Sequence, residues 1–193
     1  MKYILIGIIS YLLGSISFAY ILGKLILKKD VRNYGSGNAG ATNAIRSFGK
    51  KIGVMVFMGD FLKGVIAVIL GRSLGGQIGA YIGGAFAIIG HNWPVFLNFK
   101  GGKGVATTIG VMALVDFHLT LICVIIGIII IIFTRTVSIG SILGMAFAPI
   151  AAILFVRPFD TILLLFCLFI SSMSIYRHKD NIKRIINGNE NKF

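Results

Sequence analysis

Gly90-His91-Asn92-Trp93-Pro94-Val95-Phe96-Leu97-Asn98-Phe99-Lys100-Gly101-Gly102-Lys103-Gly104-Val105-Ala106-Thr107 is the stretch on which the fold reading turns. It joins one apolar segment, Gln77–Leu97, to another, Val105–Asp116. Between them stand Gly101, Gly102 and Gly104 beside Lys100 and Lys103. Glycine lets backbone N–H groups come close to an anion, and lysine supplies the opposite charge. An anion cradle set between apolar blocks points to a membrane protein whose phosphorylated ligand is met where water touches lipid.

The rest of the chain agrees. Of its 193 residues, 56% are hydrophobic and only 13% charged, about half the charge of a soluble domain. Mean hydropathy is +0.92. The apolar residues fall in long blocks, so the expectation is an all-α, polytopic membrane helical bundle, a single integral membrane domain over 1–193. The first block follows Lys2 like a signal peptide, but it runs to Leu27 with no small-residue cleavage site after a short core, so it is read as a spanning helix. Cys123 and Cys167 both lie in apolar blocks and are read as packing residues.

Seven apolar segments emerge: Tyr3–Leu27, Ile52–Leu70, Gln77–Leu97, Val105–Asp116, His118–Phe133, Ile139–Val156 and Phe159–Ile175. A crossing takes about 20 helical residues, so the fourth is short, and merging it with the fifth would leave six. Charge decides between the counts. Fifteen of the 19 Lys and Arg lie in four regions: the first loop, the Gly-Lys loop, Arg135 and the tail from Arg177. About seven transmembrane helices put all four regions on one side, and the positive-inside rule makes that side cytoplasmic. The N-terminus is then outside and the C-terminus cytoplasmic. The tail carries a short basic amphipathic helix with Ile182, Ile185 and Ile186 on its apolar side, suited to lie along headgroups.

Four constellations could carry chemistry. The first loop, Tyr34 to Arg46, has turn-permitting Gly35, Gly37 and Gly40 and the donors Ser36, Asn38, Thr42 and Asn43. A plain reading is a turn and an N-capped helix. Arg46, one to two turns into that helix, adds a reach towards an anion at the helix start. The Gly-Lys loop is no Walker A motif, because Leu97 and Gly104 stand where Gly and Ser or Thr are needed, so nucleotide hydrolysis is disfavoured. Lys103 remains a phosphate point charge, while Lys100 either does the same or snorkels to headgroups. His91 is read as interfacial rather than catalytic. Asp60 and Lys63, i and i+3 inside the second segment, are either functional or a mutually neutralising pair. Ser138 and Ser141 follow Arg135 and either face a ligand or pack a helix. His178 and Asn181 share one face at the start of the tail helix.

Other chemistry is missing. The histidines lack metal-ligand spacing, no His is followed by four residues and then an Asp, and the repeated aspartates of metal-dependent alcohol phosphotransferases are absent. No metal and no cofactor is expected. A site rich in cations and donors but poor in bases suits an already activated donor.

These motifs resemble the acyl-phosphate:glycerol-3-phosphate acyltransferase family of bacterial membranes. The matching residues are Gly35-Ser36-Gly37-Asn38 with Gly40-Ala41-Thr42-Asn43 and Arg46; Gly90-His91, Pro94 and Phe99 to Thr107; and His178, Asn181-Ile182, Arg184, Gly188 and Glu190. Ala39 stands where that family usually has Pro. The resemblance implies transfer of a fatty acyl group from acyl phosphate to the 1-hydroxyl of glycerol 3-phosphate, giving lysophosphatidic acid and phosphate. On this reading Lys103, Arg46, His178 and Asn181 hold the phosphate of glycerol 3-phosphate. Ser36 and one of Ser138 or Ser141 orient its hydroxyls, and the Gly101–Gly104 amides hold the donor phosphate or the developing oxyanion. Gly37, Asn38, Thr42, Asn43, His91, Lys100 and Thr107 complete the expected substrate-binding set. The expected partners are the two substrates and membrane lipid, with no nucleic acid and no obligatory protein partner, and the expected location is the bacterial inner membrane with the active-site loops cytoplasmic. An anion transporter would instead show internal repeats and mid-membrane polar groups on several spans. A lipid-binding factor would not need paired Gly-rich loops.

Overall fold

The computed structural model describes residues 1–192. The described residues form helices and short turns, with no strand. Two compact units are present, Met1–Val115 and Asp116–Phe193.

In the first unit, α1 (Lys2–Gly14) and α2 (Phe18–Leu27) divide the first apolar segment. Ser17 opens α2 by accepting from Tyr20 N at 3.4 Å. A short 3₁₀ turn, Val31–Asn33, leads to α3 (Ala41–Phe48). The long element α4 (Lys50–Asn92) holds the second and third apolar segments, and Gly76 breaks it with φ 64° and ψ −153°. Its two arms run antiparallel: a Cβ on Gly71 would collide with the Gly79 carbonyl, and one on Gly83 with the Ala67 carbonyl. Then α5 (Val105–Val115) packs on the first arm. There Gly64 meets the Thr107 carbonyl and Gly110 the Phe61 carbonyl with no room for a side chain. In lipid, helices associate by such close packing rather than by hydrophobic burial, so small residues mark the seams.

The second unit holds α6 (Phe117–Thr134), α7 (Val137–Ala146), α8 (Ala148–Phe155), α9 (Thr161–Arg177) and α10 (Lys179–Ile186). Asp116 and Asp160 cap α6 and α9 through Leu119 N at 2.9 Å and Leu163 N at 3.0 Å. The α6–α7 seam is again glycine, with Gly140 against the Gly127 carbonyl. Elsewhere α6 presents Ile125, Ile128, Ile132 and Phe133 outward, as a lipid-facing helix does. The chain bends by 60° between α9 and α10.

All seven expected apolar segments are helical. Length and composition alone single out fewer crossings: Lys2–Leu27, Lys50–Leu97, Phe117–Thr134 and Val137–Phe155 qualify, and a fifth if α9 and α10 count as one span. The difference from seven has a physical origin. The Gly76 break falls inside one continuous run of helix, α5 has only 11 residues, and α9, with 17, is short of a crossing unless α10 is counted with it across the bend at His178. The protein is a multi-pass, all-helical membrane protein.

Candidate active site

The first loop is held from beneath. Asn43 is 1% exposed. Its Nδ2 donates to the Val31 and Tyr34 carbonyls at 3.1 and 3.0 Å, and its Oδ1 accepts from Ser36 N at 2.8 Å. The turn above it needs Gly35 at φ 57°, where any side chain would strike Asn43 Oδ1, and Gly37 at φ 71°. Asp30 and Arg32 close the loop's start: Arg32 Nη2 donates to Asp30 Oδ2 at 2.8 Å and Nη1 to the Leu97 carbonyl at 3.2 Å. Hydrogen bonding from Arg32 holds the Asp30 carboxyl below its ordinary range, against the opposing pull of burial. Val31, Ala39 and Ala44 pack with Ala19, Ile52 and Val56 and seat the loop on α2 and α4. Ser36, Gly37 and Arg46 are left exposed, with Asn38 and Thr42 half-buried.

The Gly-Lys loop doubles back over the C-terminal end of α4. Asn98 and Phe99 take left-handed conformations, φ 52° and 59°, and Phe99 N donates to the Pro94 carbonyl at 3.0 Å. Gly102 N donates to the His91 carbonyl at 3.1 Å. Side chains are excluded along this path. A Cβ on Gly101 would strike the His91 carbonyl, and one on Gly102 would strike His91 Nε2. At Gly104 φ is 80°, and a Cβ would lie 3.0 Å from Asn92 Oδ1. The loop is anchored to α1, where Tyr11 donates its hydroxyl proton to the Trp93 carbonyl at 2.9 Å. Lys103 is half-buried on this loop and Lys100 is exposed.

Under the loop lies a buried charge cluster. Lys63 Nζ is 2.9 Å from Asp60 Oδ1 and donates to the Ile16 carbonyl at 2.7 Å, a carbonyl in the break between α1 and α2. His91 Nδ1 is 3.4 Å from the same Asp60 oxygen.

In the second unit the polar groups gather at the bend between α9 and α10. His178 is 2% exposed, and its Nδ1 lies 2.8 Å from the Ser174 carbonyl. A carbonyl only accepts, so Nδ1 carries a proton. Glu190 ties the group together. Its Oε1 accepts from Asn181 Nδ2 at 2.7 Å and from Ser138 Oγ at 3.0 Å, and its Oε2 from Arg184 Nε at 2.8 Å. Burial pulls the Glu190 carboxyl upward, but the hydrogen bonds from Asn181, Arg184 and Ser138 outweigh it and hold the group below its ordinary range.

A family model described as glycerol-3-phosphate acyltransferase matches residues 4–188. The chain belongs to the glycerol-3-phosphate acyltransferase family. A family member from Thermoanaerobacter pseudethanolicus is 49% identical over 98% of this chain and 94% of its own length. One from Clostridioides difficile is 43% identical over 99% of this chain and 95% of its own length. The chain is also similar to the crystal structure of PlsY (YgiH), an integral membrane glycerol 3-phosphate acyltransferase, in its glycerol 3-phosphate form. The TM-score is 0.92 at 39% identity, covering 100% of this chain and 96% of that one. The lysophosphatidic acid form of PlsY gives a TM-score of 0.89 at 38% identity.

Measured against the acyltransferase residues expected from sequence, the structure sorts the polar groups. Within 1–115, Ser36, Gly37, Asn38, Thr42 and Arg46 lie on the first loop and α3, and His91 to Gly104 on the second loop. Four of the residues expected to bind substrate hold other groups of the chain. The Asn43 amide holds the first loop, the Gly102 N–H holds His91, and Ser138 and Asn181 bond Glu190. Ser141, half-buried one turn further on, lies outside the Glu190 network. Thr107 and Asn92 are fully buried, and among the described residues neither the Thr107 hydroxyl nor the Asn92 amide has a hydrogen-bond partner. Sequence reasoning did not count Glu190, Asn92 or the Asp60–His91 contact as part of the site. Glu190 had a signal, as part of the tail motif, and Asn92 stands inside the Gly90–Thr107 stretch; the Asp60–His91 contact arises from the fold alone. Among the described residues, no three His, Cys, Asp or Glu side chains come together as metal ligands would.

Proposed function

We propose that the protein transfers a fatty acyl group from acyl phosphate to the 1-hydroxyl of sn-glycerol 3-phosphate. In the balanced step the glycerol oxygen forms a bond to the acyl carbon and the acyl–phosphate C–O bond breaks. The hydroxyl proton passes to a substrate phosphate oxygen, and the products are lysophosphatidic acid and phosphate. The observation that carries this reading is family membership over residues 4–188 together with a glycine-lined, lysine-bearing loop closed down on His91.

Arg46 and Lys103 are assigned to the glycerol 3-phosphate phosphate, as fork and point charge. The family motif extends the same role to His178 and Asn181. Ser36 and Ser141 orient the glycerol hydroxyls. Apart from the Gly102 N–H, which the His91 carbonyl holds, the Gly101–Gly104 backbone favours charge on the donor phosphate or on the developing oxyanion. Asn43 and Glu190 hold the binding groups in place. An acyl phosphate is a mixed anhydride with a good leaving group, so positioning two substrates supplies much of the rate and no strong base is needed. We further infer one acyltransferase domain of seven crossings in the bacterial inner membrane, N-terminus outside, with the basic loops and α10 on the cytoplasmic side.

The test is acylation of radiolabelled glycerol 3-phosphate by purified protein, with palmitoyl phosphate, palmitoyl-CoA or neither, and chelator present. Product with acyl phosphate alone is expected. Product with acyl-CoA alone would overturn the donor.

A further inference from the structure

We propose that the buried Asp60–Lys63 pair is a positioning device for the Gly101–Gly104 loop, acting through His91. The inference rests on the assignment of that loop to phosphate binding. Asp60 and Lys63 are 1% and 2% exposed in the first arm of α4. Removing two charges from water costs several kcal/mol per ion even when they pair. Mutual neutralisation explains Lys63 and Asp60, 2.9 Å apart, but it needs no third partner. A third partner is nevertheless present. Asp60 Oδ1 also faces His91 Nδ1, 3.4 Å away, at the far end of the second arm of α4.

The ring thus reaches in two directions. Nδ1 faces a carboxylate, which only accepts, so Asp60 favours the ring orientation with a proton on Nδ1. Nε2 faces Gly102 so closely that a Cβ there would collide with it. The His91 carbonyl holds the Gly102 N–H at 3.1 Å. Lys63 fixes the other end of the chain of contacts on the Ile16 carbonyl at 2.7 Å. A continuous line therefore runs from the α1–α2 break through Lys63, Asp60 and His91 to Gly102, all within residues 1–115. Asp60 and Lys63 touch no substrate on this account. They set the shape of the loop that does.

Asp60→Asn alone leaves Lys63 buried without its counter-ion and invites misfolding. The informative variant is D60L/K63M, which removes both charges at similar volume and keeps the span neutral. It is expected to fold and melt like the parent, yet to raise KM for glycerol 3-phosphate about 10- to 100-fold with kcat changed less than about threefold, as an ångström-scale misplacement of a binding loop does. D60E, which restores a carboxylate beside Lys63, should recover part of the loss. A D60L/K63M protein with the parent's KM overturns the proposal, because the pair would then serve the span alone. A second readout is independent of turnover. ¹⁵N-histidine NMR, with His91 assigned by its loss in H91Q, should show Nδ1 protonated in the parent and a changed tautomer or charge state in D60L/K63M. A parent spectrum without a proton on Nδ1 also overturns the proposal. If the parent fails to turn over acyl phosphate, only the donor assignment falls, and the NMR together with equilibrium binding of labelled glycerol 3-phosphate still decides this one.

Discussion

Replacing Gly102 by alanine should damage substrate binding by a steric route that the structure makes explicit. The new Cβ would meet the His91 ring, with Cε1 at 2.8 Å and Cδ2 at 3.0 Å and Nε2 closer still. Non-bonded carbons settle at about 3.5–4.0 Å, so loop and ring must part by about 0.7 Å or more. His91 has little freedom to yield, being 6% exposed and flanked by Asp60. The loop therefore moves. Backbone strain is not the cause, since Gly102, unlike Gly104 at φ 80°, lies outside the left-handed region. A shift approaching 1 Å in a positioning group costs up to about 100-fold in rate, or about 2–3 kcal/mol of transition-state stabilisation. The assay is initial-rate acylation at fixed palmitoyl phosphate with varied glycerol 3-phosphate, on protein whose melting temperature matches the parent. The expected result is a fall in kcat/KM of about 30- to 100-fold, carried mainly by KM. Combining G102A with H91A makes room for the methyl group, so the two losses should not add. A G102A enzyme within about threefold of the parent, or strict additivity with H91A, would refute the steric reasoning.

Other variants read other parts of the site. Lys103→Ala and Arg46→Ala should each remove nearly all activity from folded protein, and near-normal turnover would sink their assignment to the substrate phosphate. Asn43→Ala deletes three hydrogen bonds from a buried site and should lower stability by about 1–3 kcal/mol, read as a drop in melting temperature alongside lost activity; an unchanged melt would contradict its place under the first loop. Glu190→Gln should weaken the tie between Ser138, Asn181 and Arg184 by about 1–3 kcal/mol, visible as faster proteolysis of residues 179–192 than in the parent. The Glu190 carboxyl lies below its ordinary range when folded, so its contribution is fully present above the unfolded value and is lost as pH falls through the folded one. Parent and E190Q tails should accordingly converge in protease sensitivity only under acid conditions, below the ordinary Glu range, and convergence near neutral pH would contradict the shift.

The fold was legible because apolar runs in a membrane protein report helices almost directly. Breaks within runs were less so. Ser15–Ser17 splits Tyr3–Leu27 although both flanks are apolar, and Lys63 reaches across to a carbonyl freed there. The reversal between Ile52–Leu70 and Gln77–Leu97 is legible as the gap between two apolar segments, but glycine recurs there for packing, as at Gly71, Gly79 and Gly83, so Gly76 does not stand out as the residue that turns the chain. Local motifs located the loops but not the direction of each side chain. Asn43 reads equally as ligand donor or loop holder, because an Asn at a helix start does either. Only the Val31, Tyr34 and Ser36 partners decide it. The i, i+3 spacing marked Asp60 and Lys63 as one face, but His91 joins them through the register in which the two arms of α4 pack, which no local pattern encodes. Glu190 sits in a charged tail where an acidic residue looks solvated, and its three donors come from α7 and α10.

The central claim is acyl transfer from acyl phosphate to glycerol 3-phosphate at loops built to hold phosphate. Its most direct test measures inorganic phosphate and lysophosphatidic acid together, from palmitoyl phosphate and purified protein in the presence of chelator. The account predicts one phosphate released per lysophosphatidic acid formed, with no release above background when glycerol 3-phosphate is omitted or Lys103 is alanine. Lysophosphatidic acid formed without matching phosphate, or equal phosphate release without glycerol 3-phosphate, would contradict it.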